Sequence, residues 1–329
     1  MSRASAGRVR SAPDTGTGVP LGGLLLLGAL TLFWGCNWPA MKLGLRTLPP
    51  WTFRTVCLAV GGVGLLGIAK AGGHPLRIPR GERGPICLVA FFNITAWHLL
   101  SAYGLMLIQA GRAAILAYTM PLWAVLLGRA LLGERLTPAR RLGLGLGLLG
   151  MAILVGPEAR RLLAAPVGAL LVVAAAACWA LGTVIMKRYR WTLPTVLLTG
   201  WQVALGGLPV LAGALLLETP PPLADLDVAG LAGTAYAAVI GVILCHYLWF
   251  RIVRMLPSGV AAIATLGVPV VGVFSSALVL GEGVGLAELA ALGLVVSALG
   301  LVLGGPRRPV RGHGGGSLQS GRESRTIAR

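Results

Sequence analysis

The sequence predicts an all-α integral membrane protein, with ten transmembrane helices arranged as two inverted five-helix repeats around a central cavity. Three observations predict it. The 329 residues are 56% hydrophobic and 12% charged, about half the charge expected of a soluble domain. Ten long stretches contain no Asp, Glu, Lys or Arg. Motifs in the first five stretches return, in the same order, in the last five.

The charge-free stretches run Thr15–Met41, Thr55–Ala69, Gly84–Gly111, Ala113–Gly128, Leu142–Pro157, Leu162–Met186, Trp191–Leu217, Val228–Phe250, Met255–Gly281 and Leu289–Pro306. A span needs about 20 apolar residues, within roughly 17–25. The stretches beginning at Thr55, Ala113 and Leu142 are shorter. Their flanking arginines, Arg54, Arg129 and Arg141, complete them by snorkelling: the stems lie in the apolar layer and the guanidinium heads reach the interface. Only helices fit, because backbone groups in hydrocarbon must bond within the segment or in a closed barrel. A barrel would need segments of about ten residues that alternate apolar and polar. The first stretch runs on to Met41 with no A-x-A cleavage site after it, so it is a retained helix and not a signal peptide.

Orientation follows from the basic residues. With ten spans and the N-terminus inside, 22 of the 28 Lys and Arg lie on the cytoplasmic side. Lys42, Arg46, Arg54, Arg112, Arg160 and Arg161 lie outside. The bias predicts a multi-pass protein of the plasma (inner) membrane with both termini cytoplasmic. The net charge of +18 does not indicate a nucleic-acid partner. The basic residues sit between apolar blocks and in the tails, with no basic stripe interleaved with aromatics. Residues 1–17 and 306–329, rich in Gly, Ser and Arg, are expected to be disordered basic tails. Cys36, Cys57, Cys87, Cys178 and Cys245 fall inside apolar stretches without C-x-x-C spacing and read as small packing residues.

The internal repeat carries the argument toward function. Trp34–Lys42 aligns with Trp179–Lys187 at an offset of 145, with Trp, Met and Lys coinciding, and Pro49 then meets Pro194. At an offset of 148, Pro121 meets Pro269, His98 meets His246, and Gly133-Glu134 meets Gly281-Glu282. The repeats are 18–157 and 162–305. Five spans is an odd number, so the second copy enters the membrane from the opposite side. Inverted repeats serve secondary transporters, because exchanging the conformations of the halves interconverts inward-open and outward-open states around a midplane site. The expected partners are a small-molecule substrate and the lipid bilayer. No P-loop, G-x-S-x-G or H-E-x-x-H occurs, so the chain does not read as an enzyme. Transport would draw on a gradient, and no cofactor or metal is expected. Two other readings stay open: a membrane receptor or scaffold without flux, and a membrane-embedded lipid-modifying enzyme. The second would need a polar catalytic cluster at one interface.

The motifs themselves are familiar. W-G-x-N-W-x-x-x-K from Trp34 to Lys42, Pro49 followed by Arg54, Ala114 followed by Pro121, and L-L-G-E-R-L at Leu131–Leu136 resemble the drug/metabolite transporter superfamily, EamA type. The second half repeats Pro269 and Leu280-Gly-Glu282, and the resemblance covers roughly Val19–Gly304. It implies ten helices around a central cavity in a family of metabolite exporters and importers that moves amino acids, nucleosides, drugs and other solutes; with the inverted repeats, the expectation is a secondary exporter of amino acids or similar small metabolites or drugs working by alternating access. The second copy departs from the family pattern, with Gly-Glu-Gly-Val after Leu280.

Polar groups in a bilayer core are costly and mark either a site or interhelical hydrogen bonds. The cavity candidates are Asn37, Trp38, Asn93, Trp97, His98, Tyr118, Trp179, Gln202 and His246. Asn37 and Asn93 could equally be interhelical glue. His98 and His246 could bind substrate or carry a proton, or could be hydrogen-bonded packing residues. No Asp or Glu lies deep in any stretch, so coupling to a proton gradient would run through histidine. Trp97 and Tyr118 sit deeper than interfacial anchors should, whereas Arg54 reads as a snorkelling anchor. Glu134 and Glu282 end the fourth helix of each half, as a structural cap or ion pair or as a gate latch. Pro39, Pro121 and Pro269 are expected to kink their helices.

Overall fold

A computed structural model of the chain describes residues 21–133, 137–160, 167–219, 221–255 and 267–303, and every regular element among them is helical. Helix α1 spans Leu21–Thr47 and α2 Pro50–Ala71. A 3-10 turn at Arg80–Glu82, α3 (Arg83–Ala90), a π-helical stretch (Phe91–Ala96) and α4 (Trp97–Leu107) follow one another without a gap. Then come α5 (Ala110–Ala117), α6 (Met120–Leu132), α7 (Pro138–Arg160), α8 (Val167–Arg188) and α9 (Thr195–Leu217). Helix α10 (Val228–Ala235) leads through a second π-helical stretch (Tyr236–Leu244) into α11 (Cys245–Met255), and α12 (Gly267–Leu280) and α13 (Leu286–Leu303) close the series. Among the described residues, seven helical rods are long and apolar enough to cross a membrane, and the apolar segments Arg141–Leu154, Gly267–Leu280 and Leu286–Leu301 are shorter. The chain is a multi-pass membrane protein, all-helical in its regular elements among the described residues. The expected tails and Glu134 lie outside the described residues.

Two boundaries differ from expectation. Helix α2 begins at Pro50, not after Arg54. Proline at the first helical position has no N–H to leave unpaired, and the Glu218 carboxylate receives the next two N–H groups, of Trp51 (3.0 Å) and Thr52 (2.7 Å). The early start places Arg54 inside the bundle at 2% exposure; it does not snorkel. The short fourth stretch gains length the same way, from Ala110 to Leu132. It breaks at Tyr118–Thr119, just ahead of Pro121 in the first turn of α6. Helix α1 runs through Pro39 without interruption.

Small residues bring the helices together, as close van der Waals packing in lipid requires. Gly62 of α2 faces Ala204 of α9, and Gly150 of α7 faces Ala291 and Val295 of α13. Helix α1 packs on α12 and α10, and α8 packs on α4 and α6. Gly133 and Gly281 end α6 and α12 with φ of 66° and 67°, a left-handed cap that glycine adopts without strain. The π-helical stretches start at Phe91 and Tyr236, again 145 residues apart. Such wide turns concentrate at functional sites.

Candidate functional site

Immediately after each π-helical stretch, α4 and α11 carry His98 and His246. His246 meets an aromatic ring of α1, and Trp97, the neighbour of His98 in the chain, meets one of α8. The Trp34 ring stands edge-on to His246, with centroids 6.0 Å apart, and its Nε1 donates to the Gly241 oxygen at 3.3 Å. Trp179, the sequence mate of Trp34, stands edge-on to Trp97 at 5.3 Å. Edge-to-face geometry sets the positive rim of one ring on the negative face of the other, worth about 0.5–1.5 kcal/mol beyond area burial. Trp97, His98, Tyr118, Trp179 and His246 all stay partly exposed. Trp38, expected among them, is packed into the core at 4% exposure with its ring against Gly272.

The two asparagines occupy exchanged positions. Asn37 of α1 presses its amide on Gly241, and Asn93 presses its amide on Gly182 of α8. Asn37 and Gly182 are 145 residues apart, so one contact places Asn on the first helix of its half and the other places Gly there. The Oδ1 atoms of both are buried without a hydrogen-bond partner. Asn93 Nδ2 donates to Gln202 Oε1 at 3.4 Å, and Gln202 Nε2 reaches Met186 Sδ at 3.7 Å. This pair ties the third span to α9.

The histidines differ in what their rings offer. His246 Nδ1 lies 2.6 Å from the Val242 carbonyl oxygen. A carbonyl only accepts, so Nδ1 carries the proton and Nε2 of the neutral ring is an acceptor. His98 Nδ1 is buried without a partner, while its backbone oxygen accepts from Arg54 Nε at 2.9 Å. The Arg54 guanidinium also donates to Ser101 Oγ at 3.0 Å and to Met41 Sδ at 3.3 Å. All three acceptors are neutral. The Arg54 guanidinium is thus tied directly to the backbone of His98 and to the turn that follows it. Sequence reasoning missed Arg54 because it placed the helix start one turn too late.

Carboxylates sit at the helix ends. Glu282 accepts from the N–H groups of Ala110 (2.8 Å) and Gly111 (3.0 Å), the positive end of α5. Beside it, Arg112 Nε donates to Glu288 Oε1 at 2.7 Å. Lys42 Nζ donates to the carbonyl oxygens of Leu105 and Ile108 at the C-terminal end of α4, where a cation is favoured. Two further contacts form a matched pair. The Thr47 hydroxyl donates to Asp227, which also caps α10 by accepting from Gly230 N at 2.7 Å. The Thr192 hydroxyl and N–H (2.8 Å) both donate to Glu82 Oε1. Thr47 and Thr192, like Glu82 and Asp227, are 145 residues apart, a signal that extending the repeat alignment would have exposed. The Thr47 hydroxyl and the Gly230 N–H hold the Asp227 carboxyl below the ordinary carboxylate range.

Comparison with known proteins adds the following. Two stretches, residues 21–156 and 166–304, match the EamA-like transporter family. The "Probable amino-acid metabolite efflux pump" of Salmonella typhimurium is 27% identical over 281 residues, covering 82% of this chain and 91% of its own. The "Uncharacterized inner membrane transporter YedA" of Escherichia coli K12 is 27% identical over 304 residues, covering 89% and 94%. The "Uncharacterized transporter YvbV" of Bacillus subtilis is 28% identical, covering 84% and 90%. A solved structure titled "Crystal structure of protein" shares the fold, with a TM-score of 0.59 at 23% identity over 85% of this chain and 96% of its own.

Proposed function

The chain belongs to the EamA-like transporter family, and from that premise we propose that it is a secondary active exporter of amino acids or similar small metabolites, working by alternating access in the plasma (inner) membrane. Its ten spans form two inverted five-helix repeats, 18–157 and 162–305, around a central cavity, with both termini cytoplasmic. One observation carries the reading: the halves match each other in π-helical stretches and in threonine–carboxylate contacts at one offset of 145 residues. An odd number of spans per half turns that sequence symmetry into a twofold in the membrane plane.

The cavity is lined by Asn37, Trp97, His98, Tyr118, Trp179 and His246, with Asn93, Gln202 and Trp38 behind them. Glu282, clasping the start of α5, acts as a gate that opens when the halves rock, and Glu134 is its counterpart in the first half. A proton gradient drives the cycle through the histidines. Proteoliposomes loaded with labelled amino acids and given an imposed pH gradient test this. Efflux that depends on the protein and collapses with the gradient is the expected result, and gradient-independent retention of every compound would overturn it. His98→Ala and His246→Ala are expected to lower efflux at least tenfold with folded protein retained.

A further inference from the structure

We propose that the solute is recognised by charge polarity: a carboxylate seats on the Arg54–His98 side of the cavity, and an N–H or ammonium group seats on His246 Nε2. This deepens the transporter reading above and rests on it. The argument begins with an imbalance. Arg54 is 2% exposed and donates only to a backbone oxygen, a hydroxyl and a thioether. A guanidinium stays charged under all ordinary conditions. A charge out of water is costly unless paired, and intramembrane ionisable groups mark solute paths.

No carboxylate compensates it among the described side chains. Glu82, Glu218, Asp225, Asp227, Glu282 and Glu288 all stand at or beside helix ends, and the hydrogen bonds of Arg54 go to none of them. Among the described residues Arg54 is therefore a buried positive charge that meets neutral acceptors and the Phe53 ring but no carboxylate. Aromatic walls such as Trp97 and Trp179 attract cations and apolar bodies alike, so they do not set the sign. Arg54 sets it, and against a cationic solute.

The ring nitrogens sharpen the orientation. His98, whose backbone oxygen holds the guanidinium, has a buried Nδ1 with no partner. In the appropriate tautomer it donates to an anion. His246 is fixed as an acceptor at Nε2 because its Nδ1–H is used on Val242. One pole offers positive charge and a donor, and the other offers a lone pair. A zwitterion with an aromatic body satisfies both.

The test uses four compounds that share one ring: phenylalanine, 3-phenylpropionate, phenylalaninamide and phenethylamine. Binding is read as the shift in thermal unfolding of the purified full-length protein in neutral phosphatidylcholine vesicles, which removes anionic headgroups as competitors. One unit charge felt across roughly 8 Å at an effective dielectric of about 20 biases binding about thirtyfold. Phenylalanine is expected to bind tightest, then 3-phenylpropionate, with phenethylamine weaker than 3-phenylpropionate by at least tenfold. Ser101→Asp supplies a counter-ion at the position now 3.0 Å from the guanidinium and is expected to erase that preference in folded protein. Arg54→Lys, which keeps the charge, is expected to retain it. Phenethylamine binding as tightly as 3-phenylpropionate, no shift from any compound, or an unchanged preference in Ser101→Asp would each overturn the proposal. Uptake of the same labelled compounds separates the two readings. Correct binding order without flux would sink transport alone, and flux of phenethylamine would sink the polarity alone.

Discussion

Helices α3 and α10 stand at the same place in the two halves, 145 residues apart, yet they meet their neighbours differently. Gly230 and Gly233 let α10 lie against α1, where a Cβ on Gly233 would collide with the Ala40 oxygen and come within 3.1 Å of the Gly44 nitrogen. In α3 the corresponding residues are Pro85 and Leu88, and Leu88 is 43% exposed. The carboxylates that precede the two helices diverge as well. Asp227 is exposed with both oxygens bonded. Glu82 is 8% exposed, its Oε1 takes both donors of Thr192, and its Oε2 is buried with no partner. Duplication supplied one contact twice, and burial made one a solvent-washed cap and the other a desolvated clasp.

The largest effect is expected from giving α10 the residue that α3 carries. Gly233→Leu drives a side chain into backbone that cannot rotate away, and overpacking of that kind costs about 3 kcal/mol. The reciprocal Leu88→Gly is expected to cost only about 1 kcal/mol, the helix penalty of glycine. Thermal unfolding of the two purified variants checks the contrast, and equal losses would show that the α1–α10 approach is not tighter.

Next is the buried clasp. Glu82→Ala leaves the Thr192 hydroxyl and N–H without their acceptor and is expected to cost about 2 kcal/mol. Glu82→Gln keeps an acceptor and removes a buried charge, so it should cost less than half of that. If the glutamine variant were as damaged as the alanine one, the charge and not the acceptor would be what holds Thr192.

Asp227→Ala removes a solvent-exposed helix cap and is expected to lower the unfolding temperature by less than Glu82→Ala does, measured in the same assay. The smallest effect is its pH dependence. The Asp227 carboxyl titrates below its ordinary value when folded. Its contribution is therefore complete above the unfolded pKa and is lost as pH falls through the folded one. Unfolding temperature is expected to fall slightly more between pH 5 and 3 (a range bracketing the ordinary value of about 3.9) in the parent chain than in Asp227→Ala.

The paired candidate residues were legible because the halves align in sequence. His98 with His246 and Trp34 with Trp179 were visible from offsets alone, and the Trp34–His246 and Trp97–Trp179 contacts each join the first half to the second. What escaped was whatever depended on a helix boundary. Arg54 looked interfacial because charge was taken as the end of a span, whereas Pro50 and Glu218 begin the helix earlier. Trp38 shares its stretch with Asn37 but turns into the core instead, since neighbours on a helix point about 100° apart. The π-helical stretches have no compositional mark in Phe91–Ala96 or Tyr236–Leu244.

The sequence by itself determined that the chain is helical and membrane-spanning, because hydrocarbon tolerates no unpaired backbone and almost no charge. It determined the duplication too, since residue identity survives in the offsets. Only the tertiary structure decided which buried groups go unpaired among the described residues: Arg54 without a carboxylate, His98 Nδ1 without a partner, Glu82 with one idle oxygen. Pairing is a property of distance between helices remote in the chain, and side-chain packing between those helices sets it.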